Sequence, residues 1–197
     1  MRSMIVSLLV IVALLGSICE TTSAGTLGKR YFSASMAFLF PEGESPEFGD
    51  RIGFGADLRL PIIEHLDLLV GASRTQYLGG SSTSLGGGLQ CNLLPGKTIN
   101  PVLIWNASWV RSEGRYGGSV NDLGIEIGGG AEISISESFS LGCIAEYVDL
   151  DGDNEVVAGI GFDNWFAERL LMSLGATIGF ESKDAVLFFG IGLGSNQ

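Results

Sequence analysis

Charged residues are scarce in this chain of 197 residues, and basic ones are the scarcest. Asp, Glu, Lys and Arg make up 17% of the sequence, whereas an ordinary soluble domain carries about a quarter. The 11 basic residues stand against 22 acidic ones, which leaves a net charge of −11. Proteins that bind nucleic acids hold the phosphates with basic surfaces. We therefore expect no nucleic-acid partner.

Long apolar runs are missing after the amino terminus. Residues 4–15 are almost entirely apolar, Arg2 precedes them, and a run of small residues ends at Ala24. This order predicts a signal peptide over residues 1–24, removed on export. The run is shorter than the ~20 residues of a spanning helix, and a retained anchor is the alternative. Lipid attachment at Cys19 is disfavoured because Ile18 stands where such a site has a small residue.

Strict alternation of apolar and polar residues characterises the rest of the chain, residues 25–197, which no linker or charge block divides. In residues 51–60 the apolar face begins with Ile52 and Phe54, and the polar face begins with Arg51 and Gly53. Such alternation predicts strands with two different faces. We predict ten strands, with eight as the alternative. They are residues 30–40, 51–60, 66–77, 83–93, 100–112, 122–135, 139–148, 156–163, 170–181 and 185–194.

The two strand faces predict a closed transmembrane barrel. One face carries Leu, Ile, Val, Phe and Ala, and the other is mainly Gly, Ser, Thr and Asn. A soluble sheet turns its polar face to water and carries more charge than this chain does. A barrel in lipid inverts the two faces, and its closure pairs every backbone amide. We therefore predict an all-β fold, one closed antiparallel up-and-down barrel. The alternative is a secreted soluble barrel or sandwich that holds a small apolar ligand.

Two segments resemble a known family. Residues 100–106, NPVLIWN, look like the proline-opened fifth strand of small outer-membrane barrels of the OmpA/OmpX type. Residues 123–149 resemble the hairpin that follows that strand. The resemblance implies a monomeric barrel in the outer membrane of a diderm bacterium, inserted by the outer-membrane assembly machinery and in contact with lipid and lipopolysaccharide. The common members of the family have eight strands, whereas the alternation here gives ten.

Eight charged residues are predicted to point into the barrel, and six of them are acidic. They are Arg51, Asp57, Arg59, Asp67, Glu126, Glu132, Glu146 and Glu181. Arg59 and Asp67 are placed symmetrically about Ile63 in the first short turn, which predicts an ion pair across the hairpin. This pair is interpreted as neutralisation of buried charge or as a gate. A water-filled acidic interior would favour cations, and a packed interior would not conduct.

Two further groups of charges are predicted at the surface. Arg74 and Arg111 lie in phase with the lipid-facing residues at the outer ends of the third and fifth strands, where arginines either bind lipopolysaccharide phosphates or extend to water. A second group resembles the start of a calcium loop, although Ile160 stands where an EF-hand requires glutamate. An acidic solvated loop is the alternative. The group consists of Asp149, Asp151, Asp153 and Glu155.

Residues for catalysis are nearly absent. The one histidine, His65, is predicted in a short turn without a nucleophile or paired acid, so we expect no enzyme. The sequence has no zinc spacing, phosphate loop or dinucleotide fingerprint, so no cofactor is expected. Cys91 and Cys143 are predicted on the lipid face with two strands between them, and this separation leaves them free.

Together these features predict a small outer-membrane barrel with a structural, envelope-integrity or adhesion-like role. Its surface interactions would use the longer, more polar connections at residues 41–50, 113–121 and 149–155. A narrow cation-preferring channel is the first alternative, and the secreted soluble barrel is the second.

Overall fold

The computed structural model describes residues 29–40, 51–77, 80–114, 117–166 and 169–196. The predicted signal peptide at residues 1–24 and the predicted loop at residues 41–50 lie outside these ranges. Within them, no helix has the length and apolar character needed to cross a bilayer.

Ten strands follow one another along the chain. They are β1 (Lys29–Phe40), β2 (Ile52–Ile63), β3 (Leu66–Tyr77), β4 (Gly80–Asn92), β5 (Ile99–Gly114), β6 (Ser119–Ser134), β7 (Phe139–Leu150), β8 (Asp153–Phe166), β9 (Leu170–Gly179) and β10 (Ala185–Asn196). Each strand pairs antiparallel with its neighbours in the chain, and β1 pairs with β10. The predicted closed meander of ten strands is confirmed, and the alternative of eight strands is wrong.

Alternating burial shows which face of each strand points outward. On β5 every second residue from Asn100 to Ser112 is buried. Trp105 points outward and is 49% exposed, whereas its neighbour Asn106 is 2% exposed. A molecule with an apolar exterior and buried amides and carboxylates is the reverse of a soluble domain. This distribution is stable where lipid surrounds the barrel.

The apolar exterior is tall enough to cross the hydrocarbon of a bilayer. On β5 the outward residues are mostly apolar from Ile99 to Trp109, and Arg111 and Glu113 follow. At about 3.3 Å per residue and a tilt of ~40°, this stretch covers roughly 25 Å. Apolar bands of outer-membrane barrels have this height.

The connection between β7 and β8 differs from the predicted loop at residues 149–155. Only Asp151 and Gly152 form the turn, with φ angles of 51° and 86°. Two consecutive positive φ angles are typical of a two-residue type I′ hairpin. Of the acidic residues that indicated a loop, Asp149, Asp153 and Glu155 belong to the strands, and Asp151 lies in the turn.

The connection between β5 and β6 is also shorter than predicted. The predicted loop at residues 113–121 is reduced because β5 continues to Gly114 and β6 begins at Ser119. On the opposite rim, the connection between β4 and β5 spans residues 93–98. The β5–β6 connection, predicted to be one of the longer ones, is therefore shorter than the β4–β5 connection.

Close approach of two backbones requires glycine at position 130 in the wall of the barrel. Gly130 on β6 lies beside β7, and a Cβ atom there would stand 2.0 Å from the carbonyl oxygen of Cys143. This separation is far below any van der Waals contact, and backbone atoms in a sheet cannot move aside individually. A side chain at Gly130 would therefore separate two paired strands.

Gly130→Ala is expected to lower the free energy of unfolding by roughly 1–3 kcal/mol, the usual cost of overpacking. Denaturant unfolding in lipid vesicles, followed by tryptophan fluorescence, measures this change. Gly190→Ala is the matched control on β10, because its Cβ would meet its nearest neighbour, the carbonyl oxygen of Ala34, at 3.5 Å. Equal unfolding free energies for the two variants would contradict this account of Gly130.

Candidate functional site in the barrel interior

The interior of the barrel is strongly acidic. Among the described residues, nine buried carboxylates face one buried guanidinium, that of Arg59. Charges held away from water are costly unless hydrogen bonds or counter-ions compensate them. The interior is therefore the candidate site of the molecule. Its carboxylates belong to Asp57, Asp67, Asp122, Glu126, Glu132, Glu146, Glu155, Asp163 and Asp184.

The structure places six of the eight predicted inner charges inside the barrel. Arg51 precedes β2 and is half-buried. The prediction for Glu181 is wrong, because β9 ends at Gly179 and Glu181 lies exposed in the following turn. The alternation of residues continues past the last paired residue, so the predicted strand was too long. The six buried residues are Asp57, Arg59, Asp67, Glu126, Glu132 and Glu146.

Four buried carboxylates are absent from the predicted set. Asp122 begins the predicted strand at residues 122–135 and has the same phase as Glu126, and Asp163 ends the predicted strand at residues 156–163 and has the same phase as Gly161. The alternation therefore carries the signal for both, at the ends of the predicted strands. Glu155 falls in the predicted loop at residues 149–155, but it points inward from β8. Asp184 precedes β10 and is buried as well.

A hydrogen-bonded network spans five strands at the rim where β2 turns into β3. The Nε of Arg59 donates to Oδ2 of Asp67 at 2.9 Å, and its Nη2 donates to the same oxygen. The Nδ2 of Asn92 also donates to that oxygen, at 2.9 Å. The Nδ2 of Asn100 lies 3.2 Å from Oδ1 of Asn92 and 3.4 Å from Oε2 of Glu132. These five residues form what we call the five-strand network.

The ion pair of this network is diagonal. The register of β2 and β3 pairs Asp67 with Pro61 and Arg59 with Leu69, and it shifts between Pro61 and Ile63. The side chain of Arg59 therefore contacts Asp67 diagonally, from the inward-facing position two residues before Pro61. Arg59 and Asp67 are each 1% exposed, and the pair is fully desolvated. Removing one partner of such a pair leaves an uncompensated charge in the interior.

Apolar clusters fill the interior at both rims. At the rim opposite the five-strand network, one cluster contains Ala37, Leu39, Val110, Val148, Leu150, Val157, Val186 and Phe188. At the network rim, Tyr31 stands edge-on to Trp165 with ring centroids 6.3 Å apart, and Leu171 completes that cluster. A third cluster consists of Leu69, Val102, Ile104 and Ile144. Because water does not reach these side chains, the described interior is packed, as in narrow barrels.

The two arginines of the exterior lie in one row across neighbouring strands. Arg74 on β3 and Arg111 on β5 both pair with Thr83 on β4, so they flank it on the outer face. The Nη2 of Arg74 lies 3.4 Å from Oγ of Ser81. The Nε of Arg111 lies 3.0 Å from Oε1 of Glu113 in an exposed ion pair.

The four residues of the predicted calcium loop do not converge on one point. Oδ1 of Asp149 accepts a hydrogen bond from the backbone amide of Gly152 at 3.1 Å. Glu155 points into the barrel, where its Oε1 accepts from the amide of Ser182 at 2.8 Å. Asp151 occupies the turn and Asp153 begins β8. Within the described ranges, no three acidic, histidine or cysteine side chains are arranged to hold a metal ion.

The remaining candidates lie away from the interior. Nδ1 of His65 lies 2.8 Å from the carbonyl oxygen of Asn92, so the ring is tied to the rim of the barrel. Cys91 and Cys143 are free thiols. Cys143 is exposed on the outer face of β7, and Cys91 is half-buried on β4.

Arg59→Met is expected to lower the free energy of unfolding by about 3–5 kcal/mol, because Asp67 would lose its buried counter-charge. Arg111→Met is the matched control and is expected to cost less than about 1 kcal/mol, as an exposed ion pair does. Denaturant unfolding in vesicles gives both values. A small effect at Arg59, equal to that at Arg111, would contradict a structural role for the buried pair.

No family model matches the sequence, and no curated protein is similar to it. The fold, however, resembles solved barrels. The translocator domain of the autotransporter NalP from Neisseria meningitidis gives a TM-score of 0.52 at 13% identity, over 92% of each chain. The amino-terminal β-barrel domain of Pseudomonas aeruginosa OprF gives a TM-score of 0.41 at 12% identity, over 85% of this chain and 98% of that one. A de novo designed transmembrane β-barrel gives 0.44 at 10% identity, over 89% and 99%. The similarity to the NalP domain supports the barrel fold.

Proposed function

We propose that this chain is a small barrel of the bacterial outer membrane with a structural, envelope-stabilising role, and that it meets other molecules at its rims. The observation that carries the proposal is the packed interior inside an apolar exterior. A protein with this distribution is suited to be a structural barrel in the lipid bilayer with a closed interior. The proposed route to the membrane is export by the amino-terminal signal peptide and insertion by the assembly machinery as a monomer.

The hairpin of β5 and β6 supports a role in surface interaction. Each of these strands has 16 residues, whereas the other strands have between 10 and 14. The hairpin end is exposed on both faces from Gly117 to Asn121 and includes the apolar side chain of Val120. This end therefore extends beyond its shorter neighbours. We assign it to the outer side of the membrane, where an adhesion-like contact would form.

The row of Arg74 and Arg111 supports contact with lipopolysaccharide. Both side chains lie just beyond the apolar belt on the same rim as the β5–β6 hairpin. Arginines at this level cost little in a bilayer and match the geometry of phosphate groups. Glu113 compensates the charge of Arg111 in part, so Arg74 carries more of this proposed contact.

The two alternative functions find less support. A cation-preferring channel needs water beside the inner carboxylates, but the side chains that would line its path are buried. A soluble barrel for a small apolar ligand needs an apolar cavity, but the inner face carries nine acidic residues. The exterior of such a barrel would also have to be polar.

Purified protein in planar bilayers is expected to produce no stepwise conductance in concentrated KCl, because packed side chains block the interior. A known porin reconstituted by the same procedure is the positive control. Heat-modifiable gel migration of the same sample verifies that the barrel is folded. Stable, cation-selective conductance steps from the folded sample would contradict the proposed structural role and favour the channel.

A further inference from the structure

The β6 strand extends past its neighbour β7 and leaves part of its own edge unpaired. β6 begins at Ser119, but its pairing with β7 begins only at Gly124. On the other side, β5 pairs with β6 as far as Ser119. The backbone amide of Asp151, in the β7–β8 turn, donates to the carbonyl oxygen of Leu123 at 3.4 Å. Among the described residues, no backbone group pairs with residues 119–122 on this side of β6.

Two residues of this free edge direct their backbone groups away from β5. Successive residues of a strand turn their N–H and C=O groups to opposite sides. The carbonyl of Leu123 points toward β7, so the backbone groups of Asn121 and Ser119 point the same way. From Ser119 to Leu123 the edge measures about 13 Å. Unpaired groups in such a row are a template for another strand.

The free edge lies beyond the apolar belt. The belt on β5 ends at Trp109, which pairs with Leu123, and Asn121 and Ser119 lie further toward the end of the hairpin. Both of these residues and Val120 between them are exposed. Hydrocarbon would not tolerate free amide and carbonyl groups, whereas water hydrates them until a partner strand replaces it. The β3, β4 and β5 strands stay paired to the same height, so the raised sheet ends at β6 on the side of β7.

Three aspartates lie beside the free edge. Asp122 on β6 is 5% exposed, and its Oδ2 has no hydrogen-bond partner. Burial and the charges of Asp151 and Asp153 raise the pKa of the Asp122 carboxyl, which lies beyond the apolar belt. In the described parts of the β5–β6 and β7–β8 hairpin ends, the one basic residue is Arg111, and it is paired with Glu113. A cationic side chain beside the three aspartates would therefore offset their mutual repulsion.

We propose that the free edge of β6 binds an extended, basic segment of another protein, which joins the sheet as a further strand. The segment would pair with the backbone groups of Ser119 and Asn121, and a lysine or arginine on its inward face would approach Asp122, Asp151 and Asp153. Strand addition takes its affinity from main-chain hydrogen bonds and its selectivity from alternate side chains. A second copy of this chain would bring the same aspartates to the contact and fits less well. The proposal rests on the surface role proposed for the β5–β6 hairpin and names the chemistry of its partner.

The test measures peptide binding to the purified full chain, folded in phosphatidylcholine nanodiscs that leave both rims accessible. The probe is a fluorescent peptide of about eight residues, within the length of a natural strand, that alternates threonine and lysine. Anisotropy is expected to show binding of this peptide and none of the same peptide with glutamate in place of lysine. A third peptide keeps the lysines but carries methylated backbone amides, and it is expected not to bind. No binding of the lysine peptide, or equal binding of the methylated one, would overturn the proposal.

Asn121→Pro tests the edge within the chain. Proline removes the N–H group that points away from β5 and leaves the β5–β6 ladder intact, as proline does on sheet edges. Binding of the lysine peptide is expected to be lost in this variant and kept in Asn121→Thr, the matched control. Heat-modifiable gel migration verifies that each variant is folded. Unchanged binding by folded Asn121→Pro would contradict the proposal.

Asp122→Asn tests the charge beside the edge. This variant is expected to weaken binding of the lysine peptide about two- to fivefold, the effect of one partly exposed charge pair. Glu137→Gln is the matched control for net charge, because Glu137 is exposed in the β6–β7 connection at the opposite rim. Equal losses in the two variants would overturn the assignment. A dimer of the unmodified chain that Asn121→Pro abolishes would do the same, because a second copy would then be the occupant.

A separate measurement tests the surface role on which the proposal rests. Ser119→Cys is expected to react with a membrane-impermeant maleimide on intact cells, and the unmodified chain, with its free Cys91 and Cys143, gives the background. Absence of labelling in the folded variant would contradict the outward placement of the hairpin. Absence of peptide binding to the purified barrel would overturn strand addition alone, since the nanodiscs expose both rims.

Discussion

Backbone pairing around a closed ring is the constraint on which the rest of this structure depends. Hydrocarbon offers no partner to a free amide or carbonyl group, so a sheet in lipid must have no edge. The pairing of β1 with β10, from Lys29 with Asn196 to Phe40 with Ala185, removes the edge. Once the ring is closed, each strand has one face toward lipid and the other face toward the interior of the barrel. The alternation of the sequence, apolar outward and polar inward, is the consequence of this closure.

Closure also concentrates charge in the interior. Narrow barrels leave little space for water, so nine buried acidic side chains must find hydrogen bonds or counter-charges, or be protonated. At one rim, Arg59, Asp67 and the amides of the five-strand network provide hydrogen bonds. Further along the interior, Oδ1 of Asn106 and Oγ of Ser108 are buried without a hydrogen-bond partner. The first arrangement pairs its polar groups with one another, and the second leaves buried oxygens without partners.

Much of the fold follows from the sequence, since period-two alternation is a local property. It predicts the ten strands, their closure and the inward position of Glu126 and Glu146. It fails where local patterns continue beyond the pairing, as at Glu181, or where polar residues inside strands look like loops, as at Glu155. The diagonal contact of Arg59 with Asp67 depends on a register shift at the turn. The small cavity beside Asn106 depends on packing among four strands, β3 to β6, which no single segment of sequence encodes.

Quenching of tryptophan fluorescence by lipids with brominated acyl chains tests the central claim most directly, namely that the apolar face meets lipid and the polar face is sealed inside. Trp105 points outward from β5, whereas Trp165 is 4% exposed inside the barrel. Variants that keep one of these tryptophans, with phenylalanine at the other two positions, separate the two faces. The account predicts strong quenching of Trp105 and little quenching of Trp165. Equal quenching of both, or quenching of Trp165 alone, would contradict it.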